Sequence, residues 1–229
     1  MRRIVFVLTA LFCVPAFAAP GPGTIVVQKA NDTIAALLKQ KVPPNSPAEK
    51  ALTAKVTASV RGFLDIDQLG KAAMADQWSK LSKPQQDEFL KVLRELIEAN
   101  YINGLRANLA YTVEYTGEST NKAGNVVVTT TITTQRKGRP YTIKIDYELV
   151  KSGTSLRAFD VNTDGVSLVD NYRTMFNKLI ADKGFPALIQ KMKDKLAAIS
   201  ATPATPAPAP TPGAPAAPAT PPTKASAKG

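Results

Sequence analysis

The stretch that decides the fold is residues 126–150, VVVTTTITTQRKGRPYTIKIDYELV, which contains two runs of alternating side chains. Val128 and Ile132 alternate with threonines in the first run, and Ile145 and Leu149 alternate with charged residues in the second. A period of two is typical of a β-strand with one apolar face. The connection between the runs is short and contains a glycine, so the stretch predicts an antiparallel hairpin.

Two further strands are predicted beside this hairpin. Tyr111, Val113 and Tyr115 alternate before it, and residues 156–161 follow it after a Ser-Gly turn. Four strands joined by short turns predict an antiparallel meander. Because only one face of this sheet is apolar, we expect helices to cover that face.

Helices are predicted on both sides of the strands. Four precede the sheet, and the last of them carries an apolar stripe at steps of three and four residues from Phe89 onward. The six predicted helices lie at about 24–40, 46–61, 65–78, 82–105, 168–182 and 185–200. The order predicts an α+β domain, with a curved antiparallel four-stranded sheet, N-terminal helices and two C-terminal helices.

The two ends of the chain have a different composition from this domain. Residues 1–18 contain two arginines, an uncharged apolar stretch and Ala16-Phe17-Ala18, the pattern of a signal peptide cleaved near Ala18. A retained anchor is the alternative, although the stretch is shorter than the ~20 residues of a membrane span. Residues 201–229 are rich in Pro and Ala and predict a disordered tail. The predicted domain is therefore 19–200.

The composition excludes much catalytic chemistry. The chain has no His, and its single Cys, Cys13, lies in the predicted signal peptide. Imidazole acid–base catalysis and His-ligated zinc are therefore excluded, and so is thiol chemistry after cleavage. The formal net charge of +11 suits an anionic partner surface, and simple solubility is the other explanation. No dense basic run with interleaved aromatic residues indicates nucleic-acid binding.

Residues 160–165, DVNTDG, match the first half of an EF-hand calcium loop. The twelfth position of that loop requires a Glu, and here it is Asn171. The segment before the match is also predicted as a strand. We therefore interpret these residues as a polar strand end that leads into a helix, and we predict no metal site.

A longer stretch that includes this loop, FDVNTDGVSLVDNYRTMF at 159–176, resembles the signature of the MlaC-type periplasmic phospholipid-binding proteins, also called the toluene-tolerance family. In that family an aromatic-Asp-Val strand leads into Gly-Val-Ser-Leu-Val, then Asn-Tyr-Arg and a Phe. Trp78 and Phe89 also fall where the family has the same residues. The resemblance covers about residues 24–199.

The resemblance implies an NTF2-like cone and a periplasmic carrier that encloses the acyl chains of a phospholipid and leaves the headgroup outside. The implied partners are a glycerophospholipid, an inner-membrane ABC transporter complex with an MCE-domain protein, and an outer-membrane lipoprotein complex. The carrier would shuttle lipid between the two complexes and maintain outer-membrane lipid asymmetry. The phospholipid is cargo, with no cofactor and no catalysis. One alternative is a docking or structural module with a filled interior. The other is a small-molecule enzyme on a similar fold, with Asp160 or Tyr172 as the acid or base.

The apolar stripe of the fourth helix and the apolar face of the sheet predict one continuous space for the acyl chains. The predicted lipid-binding residues are Leu93, Leu96, Ile97, Tyr101, Val113, Val128, Ile132, Ile145, Tyr147, Phe159, Val166, Tyr172, Arg173 and Phe176. Two interpretations remain open for Arg173, the only charged member. Its guanidinium either binds the lipid phosphate, or pairs with Asp160, Asp164 or Asp170 and ties the helix to the last strand.

Overall fold

The structure is a computed structural model that describes residues 19–43, 45–104, 111–136 and 139–201. The predicted signal peptide and all of the predicted tail after Ala201 lie outside these residues, and so do Lys137 and Gly138 in the predicted hairpin turn. The division of the chain into signal, domain and tail therefore stays a prediction.

The described residues form an α+β fold, as the change in periodicity predicts. The elements in chain order are α1 (Pro22–Leu38), α2 (Pro47–Phe63), α3 (Ile66–Met74), a short 3-10 helix (Ala75–Lys80), α4 (Lys83–Gly104), β1 (Tyr111–Thr120), β2 (Val126–Arg136), β3 (Arg139–Ser152), β4 (Ser155–Thr163), β5 (Val166–Ser167) and α5 (Leu168–Ala201). The strands form one curved antiparallel sheet in the order β1-β2-β3-β4-β5.

The sheet has one more strand than the four predicted. After β4 the chain turns at Asp164 and Gly165, both with positive φ, and Val166 and Ser167 pair back onto β4. A two-residue strand is too short to show a period of two, so the alternation in the sequence gives no sign of it.

Helix starts follow the capping signals in the sequence. The Ser46 hydroxyl accepts a hydrogen bond from the Glu49 amide at 3.1 Å at the start of α2. The Asp65 carboxylate accepts one from the Gln68 amide at 3.0 Å at the start of α3. Each cap satisfies one of the amides that the first turn of a helix leaves without an intrahelical partner.

The two predicted C-terminal helices are the two parts of α5. They meet at Gly184, whose φ of 81° and ψ of 168° interrupt the helical backbone. Glycine adopts a positive φ without steric cost, and Pro186 is tolerated because it stands in the first turn after the interruption.

The start of α1 is fixed to the sheet by a carboxylate far along the chain. Glu118 on β1 accepts hydrogen bonds from the Thr24 amide and the Thr24 hydroxyl, both at 2.7 Å, and from the Gly23 amide at 3.2 Å. Desolvation raises the pKa of Glu118, but the hydrogen bonds from Thr24 and Gly23 together outweigh it and lower the pKa. We call this contact the α1 carboxylate cap.

The core lies between the helices and one face of the sheet. Val128 on β2 stands opposite Tyr147 on β3, and Thr130 stands opposite Ile145; all four side chains are buried. On the helical side Phe176 contacts Phe89 edge to face, with ring centroids 5.4 Å apart. Alternate residues of β2 and β3 face outward and are mostly polar, with Val127 and Val150 as exceptions, which leaves the helical side as the apolar one.

Candidate functional site

Most of the predicted lipid-binding residues lie together in the interior. Leu93 and Ile97 on α4, the inward residues of β2 and β3, and the aromatic residues of α5 belong to one buried apolar cluster. The predicted residues in this cluster are Leu93, Ile97, Val128, Ile132, Ile145, Tyr147, Tyr172 and Phe176. Leu96 is also buried, and Val113 packs against the cluster while half-buried.

Three predicted residues have a different status. Val166 is 60% exposed on the two-residue β5 at the edge of the sheet, and it does not belong to the buried apolar cluster. Phe159 packs against the cluster, but it is the extra residue of a bulge where β4 shifts register against Glu148 and Leu149. Tyr101 lies in α4, and its side chain falls outside the described part of the structure.

Asp160 and Tyr172, the two candidate acid–base residues, both have structural surroundings. Tyr172 is buried, stacks on Phe176 with ring centroids 5.2 Å apart, and desolvation raises its pKa to about 12. Asp160 accepts hydrogen bonds from the amides of Val161 and Val169 and from the Ser167 hydroxyl, at 2.6–3.0 Å. Tyr172 is therefore neutral at ordinary pH, and the Asp160 carboxylate organises the start of α5.

The start of α5 is organised by Asp160 and Asp164 of the calcium-loop match and by Ser167, which follows the match. Ser167 caps the helix by accepting a hydrogen bond from the Asp170 amide at 3.1 Å. Asp164 accepts one from the Lys144 amide at 2.9 Å, which links the β4–β5 turn to β3. Backbone amides thus satisfy these carboxylates, and the described residues contain no group of three His, Cys, Asp or Glu side chains that could hold a metal ion.

Arg173 connects α5 to the end of α3. Its Nη1 donates to Asp170 at 2.7 Å, and its Nη2 and Nε donate to the carbonyl oxygen of Ala72 at 3.0 and 3.3 Å. The carbonyls in the last turn of a helix lack intrahelical partners and attract cations. Among the acidic partners considered for Arg173, the structure shows Asp170, which lies on the same helix. The link to another element runs to Ala72 on α3 and not to the last strand, and sequence spacing did not indicate it.

A polar groove between α1 and β1 was not predicted as a site. It has a volume of about 380 Å³ and is lined by Gln28, Asn31, Asp32, Ala35, Lys39, Tyr111, Val113 and Tyr115. The α1 residues recur at helical spacing, and the β1 residues alternate, so each set shares one face. That spacing was visible in the sequence, but only the tertiary structure brings the two faces together.

The groove contains buried polar atoms. Asn31 is 3% exposed, and its Nδ2 donates to the Tyr115 hydroxyl at 3.1 Å. Its Oδ1 and the hydroxyl oxygen of Tyr111 are both buried and have no hydrogen-bond partner among the described residues. Burial raises the pKa of both Tyr111 and Tyr115, and the negative charge of Asp32 contributes to each shift.

The fold and the interior define a class of protein: an α+β domain whose curved sheet and helices enclose a large apolar cluster, with a polar groove at one side. The sequence matches the family model described as MlaC protein over residues 28–194, and the chain belongs to the MlaC family. No curated protein sequence matches the chain significantly.

One solved structure with a similar fold is the phospholipid-binding protein from Ralstonia solanacearum, determined in complex with a phospholipid at 1.53 Å resolution. It is 22% identical to this chain, and the TM-score is 0.63. The match covers 77% of this chain and 97% of the other. Within the described residues, no helix combines the length and the apolar character that a bilayer span requires.

Proposed function

We propose that this protein is a periplasmic phospholipid carrier, which holds the acyl chains of a glycerophospholipid in its apolar interior. The observation that carries the proposal is the family match over residues 28–194. The phospholipid in the structure of the Ralstonia solanacearum protein, which has a similar fold, supports the same ligand class. The predicted signal peptide supports export to the periplasm.

The physical requirement for such a carrier is a large apolar surface that water does not reach. Withdrawing an acyl chain of ~16 carbons from water is favourable by roughly 10 kcal/mol or more, at about 0.8 kcal/mol per methylene. The cluster that joins α4, α5 and the sheet offers apolar side chains on several elements for this contact. Binding by this surface needs no cofactor and no catalytic residue.

The proposed lipid-binding residues are the buried members of that cluster and their neighbours on the sheet. They are Leu93, Leu96, Ile97, Val113, Val128, Ile132, Ile145, Tyr147, Phe159, Tyr172 and Phe176. Arg173 contacts Ala72 and Asp170, and we propose for it the structural role and not the binding of the phosphate.

The carrier is further proposed to exchange lipid with an inner-membrane ABC transporter complex and an outer-membrane lipoprotein complex, and so to maintain outer-membrane lipid asymmetry. The positive net charge favours docking to anionic surfaces of such partners. Raising the ionic strength should weaken docking, because exposed charges are screened. Lipid retention by the isolated protein should not change with salt. Release of lipid by salt alone contradicts this division of roles.

Organic extraction of the protein purified from its native compartment, followed by mass spectrometry, tests the central proposal. We expect co-purified diacyl phospholipid at close to one molecule per protein. Refolded protein, stripped of lipid and mixed with defined vesicles, should regain the same stoichiometry. Failure to take up lipid in both experiments would support a docking module with a filled interior instead.

A further inference from the structure

The polar groove between α1 and β1 presents hydrogen-bond acceptors that the protein leaves unused. Asn31 commits its amide nitrogen to Tyr115, so the oxygen that remains is an acceptor. The hydroxyl oxygen of Tyr111 is also buried without a partner among the described residues. A buried polar group without a partner is energetically costly, so a ligand that satisfies these atoms gains affinity.

The charges at the groove favour a ligand that carries both a positive group with N–H donors and a negative group. Asp32, in the next position of α1 after Asn31, adds an exposed carboxylate to the lining. Asp32 lines the same groove as Tyr111 and Tyr115. Lys39, the C-cap residue that follows α1, is the single cation among the lining residues. The lining thus carries a carboxylate on α1 and an ammonium at the C-cap of the same helix.

The groove is adjacent to the apolar interior. Val113 lines the groove and stands opposite Ile132, which is a fully buried member of the apolar cluster. Tyr115 stands opposite the buried Thr130 in the same pair of strands. A molecule with its apolar part against Ile132 can therefore place a polar end in the groove without crossing the sheet.

We propose that this groove binds the headgroup of the carried lipid and selects a primary ammonium, as in an ethanolamine headgroup. The ammonium donates to Asn31 Oδ1 and the Tyr111 hydroxyl and lies near the Asp32 carboxylate, and Lys39 faces the phosphate. This inference rests on the proposed carrier function. A choline headgroup has no N–H to donate to the two acceptor oxygens, and a glycerol headgroup has no positive charge to pair with Asp32. Neither headgroup therefore makes all of these contacts.

Competition between lipids with identical acyl chains tests the proposal. Stripped wild-type protein is offered equimolar ethanolamine, choline and glycerol phospholipids in mixed vesicles, and the bound lipid is measured by mass spectrometry. We expect a preference of about three- to tenfold for the ethanolamine lipid, which corresponds to one or two net hydrogen bonds. Soluble O-phosphoethanolamine, added as a competitor, distinguishes a free amine from a lipid headgroup as the ligand. We expect no displacement by it at millimolar concentration, because it lacks the acyl chains.

Three variants locate the selection in the groove. Tyr111→Phe and Asp32→Asn each remove one polar contact with little change of shape, and Asn31→Leu removes the buried amide. Each should reduce the ethanolamine preference toward equal binding, while the total lipid per protein stays unchanged. Asp87→Asn is the matched control, because Asp87 forms an exposed ion pair with Lys83 on α4 and does not line the groove; its preference should equal that of the wild type.

The outcomes separate this proposal from the proposed function. Lipid bound without headgroup preference, or with a preference that Tyr111→Phe and Asp32→Asn both leave intact, overturns the headgroup site but leaves the carrier function standing. Displacement of lipid by soluble O-phosphoethanolamine points to a free amine as the ligand and also overturns it. The absence of bound diacyl lipid in every sample overturns the carrier function itself, and the headgroup site with it.

Discussion

Arg173 Nη2 on α5 lies 3.0 Å from the carbonyl oxygen of Ala72 in the last turn of α3. The same guanidinium holds Asp170 one turn earlier on its own helix. One side chain therefore joins the end of one helix to the start of another. The Asn-Tyr-Arg part of the family signature thus describes a helix junction, in which Tyr172 fills the interior and Arg173 fixes the adjacent helix end.

Arg173→Lys should destabilise the protein whether or not lipid is bound. Lysine keeps the charge but has no planar fork, so it cannot contact Asp170 and Ala72 together. The expected loss is about 1 kcal/mol, a decrease of roughly 2–4 °C in the melting temperature for a domain of this size. Thermal denaturation of stripped and loaded protein measures it. Arg139→Lys is the control, because Arg139 is exposed at the first position of β3; it should change stability by less than half as much. A loss of stability that occurs only in the lipid-loaded protein would instead indicate that Arg173 binds the lipid phosphate.

Two glycine-to-alanine substitutions should change stability in opposite directions. A Cβ at Gly70 on α3 would lie 2.8 Å from Leu93 Cδ2 and 2.9 Å from Leu90 Cδ2. Gly70→Ala should therefore lower the free energy of unfolding by about 1–3 kcal/mol through overpacking, and the better helix propensity of alanine offsets part of this loss. A Cβ at Gly62 on α2 meets nothing within 4 Å, so Gly62→Ala should stabilise by about 0.5–1 kcal/mol. Urea denaturation compares them. Equal shifts of the same sign would contradict the close approach of α3 to α4.

Removing the α1 carboxylate cap should destabilise the folded protein by an amount that depends on pH. The pKa of Glu118 in the folded protein lies below its ordinary value of 4.5. The ionised carboxylate therefore contributes its full stabilisation above pH 4.5, and this stabilisation is lost as the pH falls through the folded pKa. Glu118→Gln should therefore cost about 1 kcal/mol at pH 7, and the difference from wild type should shrink below pH 4.5. Urea midpoints from pH 7 to pH 3 measure it. Glu114→Gln, at an exposed position on the same strand, is the control. A cost independent of pH would mean that the charge is not involved.

Narrowing the apolar interior should reduce bound lipid. Ile145 is fully buried on the inner face of β3, so Ile145→Trp occupies space that an acyl chain would use. We expect at least a twofold loss of bound lipid with the stripped protein still folded, as measured by extraction and circular dichroism. Thr142→Trp, at an exposed position of β3, should bind lipid normally. A folded Ile145→Trp variant with unchanged lipid content would count against this part of the lining.

Periodicity and capping were sufficient to predict most of the fold. The alternation in residues 126–149 and the stripe from Phe89 place side chains correctly because each pattern reflects burial of one face. Val166 and Phe159 show the limit of this reasoning. The position of Val166 depends on a two-residue strand, and that of Phe159 on a bulge. Both are features of pairing geometry that leave no periodic signal.

The polar contacts of the site were harder to predict than its apolar residues. Arg173 reaches Ala72 across 101 positions, and the groove joins a face of α1 to a face of β1. Such contacts depend on how elements pack and not on the spacing within any one of them. The buried unpaired oxygen of Asn31 is likewise a property of the tertiary structure.

The α1 carboxylate cap has a consequence for the order in which the protein assembles. Thr24 and Glu118 are 94 positions apart, so the first helix acquires its cap only when a loop of that length closes. A nascent chain completes the residues of α1 long before it reaches β1. Contacts of such large sequence separation form slowly, so we expect the amides of Gly23 and Thr24 to gain protection late in refolding, together with the sheet and after the helices.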